Sequence, residues 1–420
     1  MDIKTLTGAE RARPMRIALF SGNYNYTLDG ANKTLNRLVG HLQNHMGAEV
    51  RVYSPTSPTP AFAPAGELIS VPSVRIPFRS DYRLALGLPP AIRRDVEAFR
   101  PDLVHLSAPD LLGSAALKLA RAMEVPVVAS LHTLFDTYLD YYGLGFLRPL
   151  ARRQLWKFYD ACDYVLAPTE AIADELRART RSPRIRTWAR GVDPELFSPG
   201  RRDETWRAQQ GFDPDRPVIV FLGRIVMEKG LAAFAGAIAQ LEEAGHAPQV
   251  LVIGDGPARA WFEQRLPTAV FPGFLTGEAL AKALASGDIF FNPSTTETFG
   301  NVNLEAMASG LALVCADAPN TRALLGRGRD AMLCQSEQDY ADALSALLVD
   351  GQKRRGLARK ALARSTAYRW TKVLDDVVAV YAEALDRPLP AAAGPQFPER
   401  APPRRAGRLA DPQPAGLPVL

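Results

Sequence analysis

Apolar positions fall into a first series of short, strand-like runs separated by longer amphipathic stretches. The strand-like runs are Arg16–Phe20, Glu49–Tyr53, Leu103–Leu106, Val125–Ser130 and Tyr164–Ala167. Helical spacing begins near Ala31 and recurs at 112–123 and 148–162. Such alternation of strand and helix predicts a parallel sheet covered by helices on both faces.

A second series of the same kind follows after Asp193-Pro194. Its strand-like runs are Val218–Leu222, Gln249–Ile253, Ala269–Phe271, Ile289–Asn292 and Leu311–Val314. Helical patterns occupy 230–244 and 278–285, and a further helix opens near Gly300. The chain is therefore predicted to be an α/β protein with two Rossmann-like parallel-sheet domains. Ligands of such sheets bind at the carboxyl ends of the strands, which here would face a cleft between the domains.

Length supports this organisation, because 420 residues exceed one ordinary core. We predict a flexible N-terminus at 1–14, a first domain at 15–195, a second at 196–365 and a disordered Pro- and Ala-rich tail at 386–420. Residues 195–217, rich in Pro, Gly and charge, are predicted to be the linker.

Composition places most of the chain among ordinary globular proteins, with 47% hydrophobic and 23% charged residues. A net charge of +5 is too small to favour nucleic acid as the main partner. Two stretches, 176–192 and 351–372, are rich in Arg or Lys and contain no acid. Each is either a solvated face or a patch that contacts phosphates or an anionic bilayer.

The three cysteines, Cys162, Cys315 and Cys334, show no metal-ligand spacing and are interpreted as reduced core residues. The N-terminus does not resemble a signal peptide, and no apolar run is long enough to span a membrane. These features predict a cytoplasmic protein.

The strongest chemical signal is the segment Pro293–Gly310, in which Glu297 and Glu305 lie eight residues apart. Glu297 precedes a predicted helix start and Glu305 lies inside the helix, so the carboxylates would stand on the order of 8 to 12 Å apart. We interpret them as ligands of a sugar hydroxyl and a ribose diol, with the N–H groups of Gly300, Asn301 and Val302 binding what lies between. The alternative is acids favoured by the helix dipole.

A second signal is Gly223-Arg224-Ile-Val-Met-Glu-Lys229-Gly230, directly after a strand. Arg224 and Lys229 can converge on one diphosphate, whose negative charge grows as it leaves. A solvated loop is the alternative interpretation.

Weaker signals come from the first domain and the linker. Gly30, at a predicted helix start, would let the backbone approach a phosphate, although the three-glycine dinucleotide fingerprint is absent. His132 ends a strand and is either a sugar contact or a structural histidine. The pair Asp213 and Asp215 is better explained by turn capping than by a metal. We expect no metal and no cofactor, because Arg224 and Lys229 would neutralise the leaving group.

Taken together, the Glu297-x7-Glu305 segment, the Gly-Arg…Glu-Lys-Gly loop, Gly254-Asp-Gly-Pro, Arg190-Gly-Val-Asp193 and the His132 strand end resemble the retaining family 4 glycosyltransferases of GT-B fold. The resemblance covers about 15–385 and includes Trp370, on a C-terminal helix at 366–385 that would cross back to the first domain. The stretch 132–145 is similar to the branch of GDP-mannose-dependent α-mannosyltransferases and sulfoquinovosyl-diacylglycerol synthases.

The resemblance implies specific roles. Glu305 would bind the ribose, Arg224 and Lys229 the diphosphate, and Glu297 the donor sugar. Backbone contacts would come from Phe299, Gly300, Asn301 and Val302, while Gly30 would face the diphosphate and His132 the sugar. The family's double glycine is Asp29-Gly30 here, and Thr-Leu-Phe follows His132, so the first domain departs from the pattern.

The expected activity is retaining hexosyl transfer, with mannose from GDP-mannose as the favoured donor and a UDP-sugar of glucose, glucuronate or sulfoquinovose as the alternative. Arg mixed with apolar residues at 73–100, and the aromatics Tyr138, Tyr141, Tyr142 and Phe146, favour a lipid-linked or glycan acceptor met at the inner membrane surface. Competing hypotheses are a nucleotide-sugar hydrolase or epimerase and a catalytically inactive glycan-binding scaffold.

Overall fold

The computed structural model describes residues 13–27, 30–76, 79–132, 148–181, 184–297 and 299–386. The N-terminal 12 residues, the tail from 387, and the aromatic segment 133–147 lie outside the described residues. The predictions made for those segments stay predictions.

The first domain is built on a seven-stranded sheet with the order β3-β2-β1-β6-β7-β8-β9, and every neighbouring pair is parallel. A separate antiparallel hairpin, β4-β5, lies beside it. The strands are β1 (Arg16–Phe20), β2 (Glu49–Ser54), β3 (Glu67–Ser70), β4 (Ser73–Ile76), β5 (Arg79–Ala85), β6 (Leu103–Leu106), β7 (Val127–Ser130), β8 (Tyr164–Ala167) and β9 (Arg184–Thr187). The helices are α1 (Gly30–Met46), α2 (Pro90–Phe99), α3 (Leu111–Ala122), α4 (Arg148–Asp160) and α5 (Glu170–Arg179).

The second domain contains a six-stranded sheet with the order β12-β11-β10-β13-β14-β15, again parallel throughout. Its strands are β10 (Val218–Leu222), β11 (Gln249–Ile253), β12 (Val270–Gly273), β13 (Ile289–Asn292), β14 (Ala312–Ala316) and β15 (Met332–Cys334). The helices are α6 (Glu204–Gln209), α7 (Leu231–Glu243), α8 (Arg259–Arg265), α9 (Gly277–Ala285), α10 (Asn301–Ala308), α11 (Pro319–Leu324), α12 (Glu337–Val349) and α13 (Gly351–Ser365). Short 3-10 turns lie at Pro199–Arg201, Met227–Lys229, Gly326–Gly328 and Thr366–Tyr368.

The last helix, α14 (Trp370–Leu385), packs on the first sheet rather than the second. Its apolar face, with Val373, Val377 and Tyr381 all buried, joins the core formed by β1 and α1. Among the described residues, four apolar clusters cover the two faces of the two sheets, as buried strands require. The chain therefore crosses between the domains twice.

Each sheet has a point where the strand order reverses: β1 beside β6 in the first sheet, and β10 beside β13 in the second. Loops that leave such neighbouring strands in opposite directions open a crevice at the carboxyl ends. In the second sheet these loops are 223–230 and 293–300, which carry the two strongest sequence signals.

Residues 195–217, predicted to be linker, contain α6 and a buried arginine. Arg207 is 1% exposed, and its guanidinium bonds the Ser286 carbonyl at 2.6 Å and the Asp288 carboxylate at 3.1 Å. This segment is thus folded onto the second domain. Arg207 pairs both with Glu204, three residues earlier, and with Asp288, and the second contact cannot be predicted from the sequence because Asp288 lies far along the chain.

Candidate active site

The loops after β10 and β13 meet through an ion pair. Lys229 Nζ lies 2.7 Å from Glu297 Oε1, and both side chains are largely shielded from solvent. Gly230 allows the approach: its φ is +76°, and a Cβ there would lie 2.8 Å from the Pro293 carbonyl oxygen. Any other residue would force the loops apart. The structure therefore brings together two of the predicted catalytic residues.

The start of α10 presents its backbone to the same crevice. Gly300 precedes the helix with a φ of +89°, and no side chain caps this end. The N–H groups of Asn301 and Val302 consequently have no partner within the described part of the chain. Phe299 is buried, with its ring edge-on to Tyr368 at 6.0 Å, and anchors the loop below the crevice.

Across the cleft, the start of α1 faces the start of α10. A Cβ placed on Gly30 would lie 3.3 Å from Asn301 Nδ2, so the first turns of two helices from different domains nearly touch. Lys33, in the first turn of α1, is close enough to Glu305 in α10 to lower the pKa of its carboxyl. Two positive helix ends that converge in this way form a binding site for an anion.

Glu305 is placed in an unusual electrostatic environment. Burial raises the pKa of its carboxyl to about 7, and the nearby ammonium of Lys33 offsets only part of this effect. The carboxyl is thus partly protonated at neutral pH. A ligand that donates hydroxyl hydrogen bonds would favour its ionised form.

Arg224 is exposed at the same end of the second sheet. Within the described residues its guanidinium forms no hydrogen bond or ion pair. A guanidinium without a protein partner beside an anion site is available to a ligand. Of the two predicted cations, Lys229 is paired with Glu297, and Arg224 has no partner within the described residues.

His132, at the end of β7, lies in a network of hydrogen bonds. Both nitrogens of its ring have a partner within the protein. Its Nε2 is 2.8 Å from Ser130 Oγ, and Arg190 Nη2 donates to its Nδ1 at 2.9 Å. Ser130 Oγ is also 2.8 Å from Nε2 of the fully buried His105. Burial, followed by the charge of Arg190 and by His105, lowers the pKa of His132 well below its usual value.

The two crossings between the domains run side by side. The N–H of Val192 donates to the Tyr368 carbonyl at 2.8 Å, and Val192 pairs with Arg369 as an isolated parallel bridge. A Cβ on Gly191 would lie 2.4 Å from the Trp370 ring, so only glycine fits here. This paired segment is the natural hinge of the cleft.

Sequence reasoning missed residues that act on the site through other groups. Asn320, at the start of α11, bonds the main chain of Glu297, while His105, Ser130 and Arg190 surround His132. Arg190 lies in the motif Arg190-Gly-Val-Asp193, which by itself predicts no role for the side chain. A polar residue in an otherwise apolar strand, such as His105 in β6, is the signal that was available.

Other sequence signals lie apart from the site. Asp213 accepts the N–H of Asp215 at 2.9 Å, which is the geometry of a capped turn. No group of three or more potential metal ligands occurs within the described ranges. Cys162, Cys315 and Cys334 are all buried and unpaired thiols. None of the described helices has the length and apolar character needed to cross a bilayer.

The first basic stretch is largely neutralised by acids from neighbouring segments. Arg177 pairs with Glu170 and Asp174, and Arg186 pairs with Glu383 of α14. The interpretation of 176–192 as an anion-binding surface is therefore weakened.

Comparison with known proteins gives the class of this molecule. Residues 28–196 match the Glycosyltransferase Family 4 domain, and residues 216–350 match the Glycosyl transferases group 1 domain. The sucrose-phosphate synthase of Thermosynechococcus elongatus shares the fold, with a TM-score of 0.72 and 19% identity over 89% of this chain and 99% of that one. The fold is GT-B, as predicted.

Similarity to full-length relatives is closer. The chain is 35% identical to a GDP-mannose-dependent alpha-mannosyltransferase of Mycolicibacterium smegmatis, over 89% of this chain and 98% of that protein. It is 31% identical to the sulfoquinovosyl transferase SQD2 of Arabidopsis thaliana, over 88% of this chain and 74% of that one. The protein belongs to the family 4 glycosyltransferases of GT-B fold, and the predicted enzyme class, a glycosyltransferase, is confirmed.

Proposed function

We propose that the enzyme transfers mannose from GDP-mannose, with retention of the anomeric configuration, to a lipid-linked or glycan acceptor. The convergence of the first turns of α1 and α10, beside Arg224 and Lys229, is the observation that carries the proposal. Two positive helix ends and two cations in one crevice fit a diphosphate flanked by two sugars. The similarity to GDP-mannose-dependent mannosyltransferases favours guanosine and mannose.

Each group in the crevice has a defined task in this proposal. Glu305 binds the ribose hydroxyls, Arg224 and Lys229 bind the diphosphate, and Glu297 orients the hexose. The Lys229–Glu297 ion pair places the cation that receives the leaving group next to the acid that holds the sugar. Because the diphosphate gains charge as the glycosidic bond breaks, the cations stabilise the transition state more than the bound donor.

Retention follows from attack on the face that the diphosphate leaves. The acceptor hydroxyl approaches an oxocarbenium-like sugar, the glycosidic C–O bond breaks, and the departing phosphate oxygen takes the acceptor's proton. No covalent sugar–enzyme bond forms. Closure about the paired segment at Val192 and Arg369 would exclude water and limit hydrolysis of the donor.

Calorimetric titration of the whole enzyme tests the donor. GDP-mannose should bind more tightly than UDP-glucose, UDP-glucuronate or UDP-sulfoquinovose, and its transfer product should show the donor's anomeric configuration by NMR. Tighter binding of one of the UDP-sugars would mean that this sugar, and not mannose, is the one transferred. Binding of none of the four would refute the transferase assignment at this crevice.

The acceptor is proposed to be met at an anionic membrane surface. The β4-β5 hairpin and the segment that follows it expose Val74 by 48% and Leu86 by 66%, beside the exposed arginines Arg75, Arg93 and Arg94. Exposed apolar side chains among cations are typical of surfaces that dock on lipid head groups.

Sedimentation with vesicles tests this docking. The enzyme should bind phosphatidylglycerol vesicles at low salt and bind neutral phosphatidylcholine vesicles weakly. The variant Val74→Ser/Leu86→Ser should lose most of this binding. Val349→Ser, at an equally exposed position of the second domain, is the matched control and should bind as the wild type does. Equal binding by both variants would reject the hairpin surface.

A further inference from the structure

One direct hydrogen-bonded line connects the first domain to the loop that carries Glu297. Thr169 Oγ1 lies 2.6 Å from Asn320 Oδ1, and Asn320 Nδ2 donates to the Glu297 carbonyl oxygen at 3.0 Å. Thr169 belongs to the first domain, at the end of β8, whereas Asn320 and Glu297 belong to the second. This line of three residues is here called the clasp.

The direction of each hydrogen bond in the clasp is fixed by chemistry. A carbonyl oxygen only accepts, so the amide nitrogen of Asn320 must face Glu297 and its oxygen must face Thr169. The Thr169 hydroxyl already accepts the N–H of Ile172 at 3.3 Å as the cap of α5. Its own proton is therefore directed to Asn320, and no other assignment satisfies all three contacts.

The clasp and the ion pair hold Glu297 through different groups. Glu297 is bound through its side chain to Lys229, within the second domain, and through its carbonyl to Asn320. Thr169 is buried, and α5 packs against α11 around this contact. When the cleft opens, Thr169 must leave Asn320, while the Lys229 ion pair can persist. The main chain of Glu297 is thus linked to the first domain through Asn320 and Thr169.

We propose that Asn320 is a positioning residue that couples closure of the cleft to the placement of Glu297 against the donor sugar. This inference rests on the proposed function. The second domain supplies Glu305, Arg224 and the α10 N-terminus, so it keeps these contacts to the nucleotide when the α1 end moves away. The sugar-orienting acid reaches its working position only when Thr169 engages Asn320. Productive geometry is then a property of the closed state, which limits the loss of donor to water.

The test separates binding from chemistry in the whole enzyme. GDP-mannose binding is measured by calorimetry, and GDP release from GDP-mannose is measured in steady state. Asn320→Asp keeps an acceptor for Thr169 but removes the donor to Glu297, whereas Thr169→Val keeps the Asn320 bond to Glu297 and removes the link between the domains. Both should lower kcat by about 10- to 100-fold and change the donor Kd by less than about threefold.

Four further variants make the result specific. Thr169→Ser keeps the hydroxyl and should restore the wild-type rate. Ser336→Ala removes a helix cap far from the cleft and controls for the loss of the α5 cap; it should leave kcat unchanged. The double variant Thr169→Val/Asn320→Ala should be no slower than Asn320→Ala alone, since both act through one line of bonds.

Failure of the proposed function and failure of the clasp proposal give different results. If GDP-mannose and the UDP-sugars do not bind the wild type, the proposed function fails, and there is no donor sugar against which the clasp could position Glu297. If they bind and turn over, but Thr169→Val and Asn320→Asp keep the wild-type kcat, the clasp is refuted and the transferase assignment stands. A fall in kcat equal to that of Ser336→Ala would likewise refute it.

Discussion

Arg190 donates a hydrogen bond from Nη2 to Nδ1 of His132 at 2.9 Å. A guanidinium cannot accept a hydrogen bond, so this nitrogen of His132 must be unprotonated. The remaining proton of the neutral ring is on Nε2, where it is donated to Ser130 Oγ at 2.8 Å. The hinge segment that contains Arg190 thus fixes the tautomer of the histidine at the end of β7. A sugar contact by His132 would then use the ring carbons or require a rearrangement of this network.

We expect nitrogen NMR of histidine-labelled enzyme to show a neutral His132 in the Nε2–H form at neutral pH, because burial and the charge of Arg190 lower its pKa well below the usual value. Arg190→Met removes the donor to Nδ1 and should allow the second tautomer to appear. Arg184→Met, in the same basic stretch but bonded to Tyr164, should leave the signal unchanged. A protonated His132 near neutral pH in the wild type would contradict this assignment.

Donor binding should depend on pH through Glu305. Its carboxyl has a raised pKa of about 7, so the free enzyme gains a proton as the pH falls through this value. Ribose hydroxyls donate to the ionised form, and donor binding therefore releases a proton and tightens as the pH rises from about 6 to 8. Calorimetry in two buffers of different ionisation enthalpy measures the released proton.

Glu305→Gln should weaken donor binding roughly 10- to 100-fold and abolish its pH dependence, because a charged acceptor is replaced by a neutral one. Glu67→Gln, on the outer strand β3 of the first sheet, is the control and should retain both the affinity and its pH profile. The same raised pKa has a consequence for stability. The contribution of Glu305 to the free energy of unfolding is fully present below the unfolded pKa of about 4.3, and it is lost as the pH rises through about 7.

Arg224→Ala should lower kcat by about two to three orders of magnitude, because in the proposed mechanism this exposed cation stabilises the leaving diphosphate mainly in the transition state. Its side chain has no partner within the described residues, so the melting temperature should not change. The control is Arg216→Ala, another exposed arginine ahead of β10. Steady-state rates that are equal for the two variants would remove Arg224 from the catalytic set.

The sequence predicted the second-domain loops well because their signals are local. In 223–230 and 293–300, glycines, charges and the preceding strands lie within a few residues of one another, and the sheet topology then places both loops at one crevice. Short apolar runs likewise predicted both parallel sheets. The edge strands β3 and β9 were missed because they carry charge and lack a continuous apolar run. The edge strand β15 is apolar but only three residues long, which is too short to give a pattern.

Contacts between distant segments could not be predicted in this way. Arg207 was interpreted as linker charge, yet it is buried against Asp288. Asn320 gave no signal, since a lone Asn after Pro is typical of a helix start anywhere. Its importance arises only when α11 meets α5 from the other domain. The roles of Glu297, Glu305 and Arg224 in catalysis stay predictions until the variants are measured.

The hinge provides a test that does not depend on a substrate. A Cβ on Gly191 would lie 2.4 Å from Cδ2 of Trp370, a ring that packs between the two domains' connecting segments. Gly191→Ala should therefore destabilise the enzyme by about 1–3 kcal/mol and lower its melting temperature by several degrees. Gly200→Ala is the matched control, because its nearest neighbour would be Ser198 Oγ at 3.9 Å, and it should melt as the wild type does.

A second substitution shows whether the clash itself is responsible. Trp370→Leu removes the ring atoms that a Cβ at Gly191 would meet, so the double variant Gly191→Ala/Trp370→Leu should be less destabilised than the sum of the single variants. Val192 and Arg369 would keep their main-chain bridge in both backgrounds, since neither substitution removes a backbone donor. Additive losses would mean that the Trp370 ring is not what excludes a Cβ at Gly191, and the close approach of the two crossings would not limit the residue at this position.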